Sequence, residues 1–320
     1  MEKIFFRAIY GRGMSFKRRA GAAMLVSAVL LLSTPVWSAS PLVLQSDFGV
    51  KDAAVASMKG VAISVAPQLA IFDLTHEIPA YNIWEASLRL AQTAEYWPQG
   101  TVFVSVVDPG VGTQRKSVVL KTLSGHYFVS PDNGSLTAVA EQLGVAAVRE
   151  IDEAVNRLAR SDKSYTFHGR DVYAYTGARL AAGIISFAEV GPELAPQVVS
   201  IPYQKPRYEQ GRVYGNIEIL DPQYGNVWTN IDQATFARLN LQTGDRISIR
   251  ISNLDTVVLE HIVPYFPTFG EVPVGAALLY LNSLNKVSLA INQGNFAETY
   301  HVQSGANWNI EIARYSPESE

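Results

Sequence analysis

Residues 101–115 read TVFVSVVDPGVGTQR, and this run decides the fold class. Six of its first seven residues favour β structure, so the segment reads as a buried strand. It stops at Asp108, where a Pro-Gly pair cannot continue the extension. A strand that delivers a carboxylate at its C-terminal end, ahead of a glycine-rich turn, is how open α/β sheets present ligand-binding groups. Arg115 follows seven residues later, close enough to fold back over Asp108. Taken alone, Asp-Pro-Gly fits a capped turn with a surface arginine better than a site. The surrounding pattern shifts that balance.

Outward from this strand the chain alternates. Strands are expected at 42–46, 70–74 and 101–107, and helices at 52–65, 83–96, 136–143 and 173–182. Segments 116–120 and 127–129 read as a hairpin. The expectation is an α/β domain over 41–195, with a mostly parallel sheet flanked by helices. Four prolines between 192 and 207 mark a change of character, and 196–207 is read as a linker. Beyond it, short strands are expected at 213–220, 246–251, 257–263, 276–281 and 287–291. They predict a barrel-like all-β domain over 208–316.

The N-terminus is of another kind. Lys17, Arg18 and Arg19 precede the apolar run AGAAMLVSAVLLL, and a small, polar zone follows. This is the layout of a signal peptide over 1–38, with cleavage after Ser38, and it predicts an exported, periplasmic protein. The apolar run is short for a membrane span, so no membrane association is expected after cleavage. Six of the 26 basic residues and one of the 29 acidic ones lie within 1–38, leaving 20 against 28 and a net charge of −8. So acidic a chain is poorly suited to binding nucleic acid. Cysteine is absent, which excludes a catalytic thiol and thiolate metal ligands.

Polar residues gather where strands end. Asp47 follows the first strand, Asp73 and His76 close the second, and Asp108 closes the third. His168, Arg170 and Asp171 cluster in FHGRD before a helix. Read singly, His168 fits a hydrogen-bonding residue at a helix entry, and Asp171 a favourable N-terminal helix charge. The segment Pro131-Asp132-Asn133-Gly134 is most simply a turn. In the second domain Asp221 and Asn226 interrupt two strands, and Phe269 and Ser283 lie in later breaks. Polar loops in both halves invite a ligand between them.

Taken in order, these segments resemble the family of adenosine-forming S-adenosylmethionine hydrolases, relatives of the fluorinase and chlorinase. The matching pieces are SDFGVKDAAVASMKG (46–60), FDLTHEIP (72–79), VVDPGVGTQRK (106–116), VSPDNGSLT (129–137), FHGRD (167–171), DPQYGNVWTNI (221–231) and LLYLNS (278–283). The resemblance implies an N-terminal α/β domain, a C-terminal β-barrel, and a homotrimer with sites between subunits. It implies hydrolysis of the sulfonium to adenosine and methionine without a cofactor or metal, through Asp108, Arg115 and His168. By the same carry-over, Asp47 grips the ribose hydroxyls and Tyr81 lies along the ligand. Asp221 meets the methionine ammonium and Ser283 its carboxylate, while Asn226 reads the adenine edge and Phe269 packs on the ring. The halogenases carry Tyr at position 108 and Ser at 169, where this chain has Asp108 and Gly169, so hydrolysis is favoured over halogenation. They also follow the serine with Arg, where this chain has Leu284, which leaves carboxylate recognition open.

Two other classes remain open on the sequence. One is an exported adenosine-binding protein without turnover. The other is a metallohydrolase using Asp47, Asp73, His76, Asp108 and His168, although these lack a zinc-ligand spacing.

Overall fold

The computed structural model describes residues 39–317, so the leader expected over 1–38 lies outside the described residues. Strands β1 (Leu42–Ser46), β2 (Ile71–Thr75) and β3 (Val102–Val106) run parallel, with β1 between the other two. Helix α1 (Ala54–Val65) connects β1 to β2, and α2 (Ile83–Ala94) carries the chain back across to β3. Strands β1 and β3 are buried along their whole length because helices cover both faces. This is why both read as continuous rather than alternating apolar runs. Val102, Val104 and Val106 face Met58 and Ala62 of α1, while Phe103 faces Leu90 and Ala91 of α2.

Beyond β3 the sheet is mixed. Strands β4 (Ser117–Thr122) and β5 (Tyr127–Pro131) form the expected hairpin, turning at Gly125 with φ +85°. Beyond them, α3 (Thr137–Leu143) leads into β6 (Val145–Glu150), and β7 (Glu193–Leu194) closes the edge. The order is β2-β1-β3-β5-β4-β6-β7. Three pairings are parallel and three antiparallel, so the sheet is mixed, with five of its seven strands running the same way. The hairpin inverts β4 between β5 and β6, which both run the same way as β3, and β7 is reversed again at the edge.

A π-helical turn at Gly169–Ala174 runs into α4 (Tyr175–Ala181), which packs on β3 and α1. Gly177 sets the approach of α4, because a Cβ there would lie 2.4 Å from Val104 Cγ2. Gly177→Ala is therefore expected to destabilise the fold by about 1–3 kcal/mol of overpacking, despite alanine's better helix propensity. A lowered urea midpoint at unchanged m-value would show it.

The stretch read as a linker is tied to its surroundings. The Val199 amide donates to Asp132 Oδ1 (2.8 Å) and the Ile201 amide to Thr137 Oγ1 (3.0 Å). Residues 207–314 then build a second, antiparallel sheet. Its strands are β8 (Arg207–Glu209), β9 (Arg212–Leu220), β10 (Val227–Asp232), β11 (Arg246–Asn253), β12 (Thr256–Pro264), β13 (Ala277–Leu281), β14 (Lys286–Ile291) and β15 (Trp308–Arg314). The order β12-β11-β15-β9-β10-β14-β13 curls until its ends meet at a bridge between Tyr265 and Leu279, giving a nearly barrel-shaped sheet. Ile247, Ile249, Ile251, Leu289, Ile310 and Ile312 fill its interior at the two-residue period of half-buried strands. Short helices α5 (Gln233–Ala237) and α6 (Phe296–Thr299) and 3₁₀ turns at Phe187–Val190 and Phe269–Glu271 complete the element list. Among the described residues, no helix is long and apolar enough to cross a membrane.

Candidate active site

The chain leaves β1 toward β2 on one side and returns past it to β3 on the other. That reversal opens a crevice at the carboxyl edge between β1 and β3, where open α/β sheets bind ligands. Asp47 sits one residue beyond β1 and Asp108 two beyond β3, so both carboxylates emerge there. A cavity of about 280 Å³ occupies the crevice, lined by Asp47, Phe48, Tyr81, Asp108, Phe167 and His168.

Arg115 does fold back over Asp108. Its Nε donates to Oδ1 (2.9 Å) and Oδ2 (3.1 Å), and its Nη2 to Oδ2 (2.5 Å). Both side chains are about nine-tenths buried, at 10 % and 6 % exposure. A buried pair persists only when its remaining hydrogen-bonding positions are filled. Here Arg115 Nη1 donates to Ser117 Oγ (3.1 Å), which in turn meets Tyr173 Oη (3.1 Å), and Tyr173 reaches Asp108 Oδ2 at 3.5 Å. Burial disfavours the Arg115 charge, but its hydrogen bonds to Asp108, together with the electrostatic pull of Tyr173, Asp108 and Glu153, outweigh this and raise its pKa. Burial, with the Asp108 charge, likewise holds the Tyr173 hydroxyl protonated far above its ordinary range.

The same guanidinium reaches His168, with Nη2 2.9 Å from Nδ1. Arginine has no acceptor, so Nδ1 must accept, and this hydrogen-bond pattern assigns the proton to Nε2. Burial lowers the His168 pKa below its ordinary value, reinforced by the Arg115 and Arg157 charges against the opposing pull of Glu153 and Asp108. The imidazole is thus neutral at pH 7, and its buried Nε2–H has no protein partner. Directly after it, Gly169 packs so closely that a Cβ would lie 3.1 Å from Val106 Cγ1 and 3.2 Å from the Phe48 ring. A serine there could be admitted only by displacing both.

Asp47 Oδ2 accepts from the Tyr81 amide at 2.9 Å. Tyr81 holds φ +67°, a costly conformation for a non-glycine residue, and is 72 % exposed. Four of the nine residues expected in a site therefore line one cavity, and Arg115 bridges two of them from behind. The other four lie elsewhere. Asn226 and Phe269 share a separate groove of about 500 Å³ with Tyr224 and Asn295. Asp221 lines a neighbouring shallow groove, its Oδ1 accepting from the amides of Gln223 (2.9 Å) and Tyr224 (3.2 Å). Ser283 borders a third space of about 820 Å³ with Leu284, Glu218 and Lys286.

The five residues of the metallohydrolase reading do not form one set. Asp73 and His76 engage Lys59 and Ser46, while Asp108 and His168 are joined through Arg115. Among the described residues, no three His, Asp or Glu side chains gather as a metal-binding group. Asp171 is fully buried and paired with Arg170 outside the cavity. Ser117 and Tyr173 were not legible as site residues. Each lies in an element the sequence predicts, but their convergence behind Arg115 is a tertiary fact without a local signal.

Comparison with known proteins agrees with this architecture. Residues 42–191 match the S-adenosylmethionine hydroxide adenosyltransferase N-terminal domain, and residues 215–309 the corresponding C-terminal domain. A protein named (R)-S-adenosyl-L-methionine hydrolase from Salinispora tropica is 34 % identical over 262 residues, covering 81 % of this chain and 93 % of that protein. One of the same name from Methanocaldococcus jannaschii is 38 % identical over 201 residues, covering 61 % and 69 %. A fluorinase from Nocardia brasiliensis is 28 % identical over 292 residues, covering 83 % and 95 %. The crystal structure of an uncharacterized conserved protein from Thermotoga maritima superposes with a TM-score of 0.77 at 36 % identity, covering 85 % of this chain and all of that one. With both domain profiles matched in order across most of its length, the chain belongs to the S-adenosylmethionine hydroxide adenosyltransferase family.

Proposed function

We propose that the protein hydrolyses S-adenosylmethionine to adenosine and methionine. The observation that carries this reading is the guanidinium of Arg115 bridging Asp108 and a neutral His168, a residue of the cavity lining whose buried Nε2–H has no protein partner. Hydroxide forms a bond to ribose C5′ while the C5′–sulfur bond breaks, and the electron pair leaves with sulfur as a neutral thioether. No acid is needed for this leaving group. The work left to the protein is to hold the nucleophile in line and exclude other water. His168 Nε2–H donates to the hydroxide, and the adjacent guanidinium stabilises its charge. Neither ring nitrogen is a free acceptor, so His168 acts as a donor here rather than as the general base. Asp108 fixes the guanidinium, and Asp47 receives the ribose diol.

We further propose that a neighbouring copy in a homotrimer completes the site. In one chain the residues carried over for adenine, Asn226 and Phe269, line a different groove from Asp108. Tyr81, Tyr224 and Phe269 are also large exposed aromatics at the rims of these two cavities. Light scattering tests the assembly, and a mixture of Asp108→Asn and Asn226→Ala chains should regain activity that neither has alone. The basic and apolar composition of residues 1–38 supports export to the periplasm, which cell fractionation tests.

The deciding experiment incubates the purified protein with each sulfonium epimer of S-adenosylmethionine and follows adenosine and methionine by chromatography. Equimolar release that survives a chelator supports the reading. Tight adenosine binding without turnover would replace it with nucleoside capture. The pH profile offers a second check. Protonated His168 would turn an N–H toward Arg115, so kcat/KM should hold through neutral pH and fall as pH drops through the lowered His168 pKa. Stability should move the same way. Below about pH 6.5 the unfolded chain takes up this proton first, so stability is full above that value and declines as pH falls toward the folded-state pKa.

A further inference from the structure

We propose that His76 is a positioning residue that aims Asp47, through a hydrogen-bonded relay running from Lys59 to the main chain beside that carboxylate. Lys59 Nζ donates to Asp73 Oδ2 (2.6 Å), and His76 Nε2 lies 3.1 Å from Asp73 Oδ1. His76 Nδ1 lies 2.7 Å from Ser46 Oγ, which accepts from the Phe48 amide at 3.3 Å. One assignment gives every donor an acceptor: Nε2–H to Asp73, and the Ser46 hydroxyl to Nδ1.

This Ser-His-Asp line has the composition of a nucleophilic triad without its access. Ser46 is fully buried at the end of β1, and His76 is 3 % exposed. What the line does reach is the loop that carries Asp47. The His76 side chain holds the residue before Asp47, and its carbonyl accepts from the Gly49 amide at 2.7 Å, two residues after it. Gly49 itself takes φ +67°, so the loop turns sharply between these two anchors. Asp47 is thereby presented to the Tyr81 amide at 2.9 Å, with its carboxylate facing the cavity. Lys59 and Asp73 form the outer end of the relay and fix the ring's orientation.

The role of Asp47 toward the ribose rests on the function proposed above, so the test has one readout with a ligand and one without. In His76→Leu, hydrogen exchange at the Tyr81 amide, which reports the Asp47 contact, should quicken by about tenfold. Amides inside β1 and β2 should keep their protection. His76→Gln, which retains a donor and an acceptor, should restore much of it. Adenosine affinity should fall by about tenfold in His76→Leu, with 2′,3′-dideoxyadenosine affinity unchanged. In an Asp47→Ala background the His76 substitution should add nothing. An unchanged Tyr81 amide overturns the relay, as does general acceleration of β1 and β2 that His76→Gln does not rescue. Equal loss of both nucleosides overturns it too. If the wild type binds both nucleosides alike, the ribose assignment of Asp47 fails, while the exchange measurement still decides the relay.

Discussion

Asp108→Asn is expected to reduce adenosine formation by about 10³-fold, near the upper range for removing one electrostatic partner of a reacting group. Asparagine keeps the volume and one acceptor, but presents an NH₂ to a guanidinium that now donates three hydrogen bonds to two carboxylate oxygens. Freed of its counter-charge, Arg115 no longer has one favoured position from which to reach His168 Nδ1. The loss should fall on kcat, because Asp108 acts on the nucleophile's side of the site, whereas adenosine affinity should change little. Stability should fall by about 3 kcal/mol, since one partner of a buried pair would be left uncompensated. Thermal unfolding alongside single-turnover kinetics separates the two effects. A variant with wild-type kcat would remove Asp108 from the chemistry.

The strands of the first sheet were legible because burial on both faces leaves a continuous apolar signature. For β1 the expected and observed bounds coincide at Leu42–Ser46. Where that signature weakens, so does the reading. Strand β6 is VAAVRE, with two alanines in six residues, and was not expected; β10 is WTNID after a single valine, and was implied only by the break at 221–226, without bounds. Strand β15 does alternate Trp308, Ile310 and Ile312, but it follows a Gly-Ala-Asn loop that masks its start. Five of the seven strands share one direction, as expected, and the inversion of β4 and β7 that makes the sheet mixed lies in pairing, not in composition. At the site, Asp108 and Arg115 are close in sequence and His168 lies 53 residues beyond Arg115. Motif resemblance supplied the third partner, whereas strand-end logic alone offered Asp73 and His76 on equal terms. The Ser117–Tyr173 brace and the π-helical turn that follows His168 are products of packing. The separation of Asn226 and Phe269 from the Asp108 cavity within one chain is likewise a tertiary fact without a local signal.

Arg115→Lys should be nearly as damaging as Asp108→Asn, at about 10²–10³-fold in kcat, although it preserves the charge. The guanidinium serves three directions at once: Asp108 through Nε and Nη2, His168 through Nη2, and Ser117 through Nη1. Its planar fork holds those directions fixed, whereas an ammonium is a point charge on a flexible stem. Lysine can neutralise Asp108, so the protein should remain folded. It cannot also hold the imidazole by Nδ1, and His168 would lose the contact that assigns the proton to Nε2. The Arg115→Ala variant gives the sharper form of the test. Free guanidinium at millimolar concentration should restore part of its activity, and an alkylammonium of similar size should restore less. Because Asp108 and Arg115 act as one unit, the double variant should lose little more than either single one. Additive losses would mean that the two residues reach the nucleophile independently, and the bridging geometry would then carry no part of the rate.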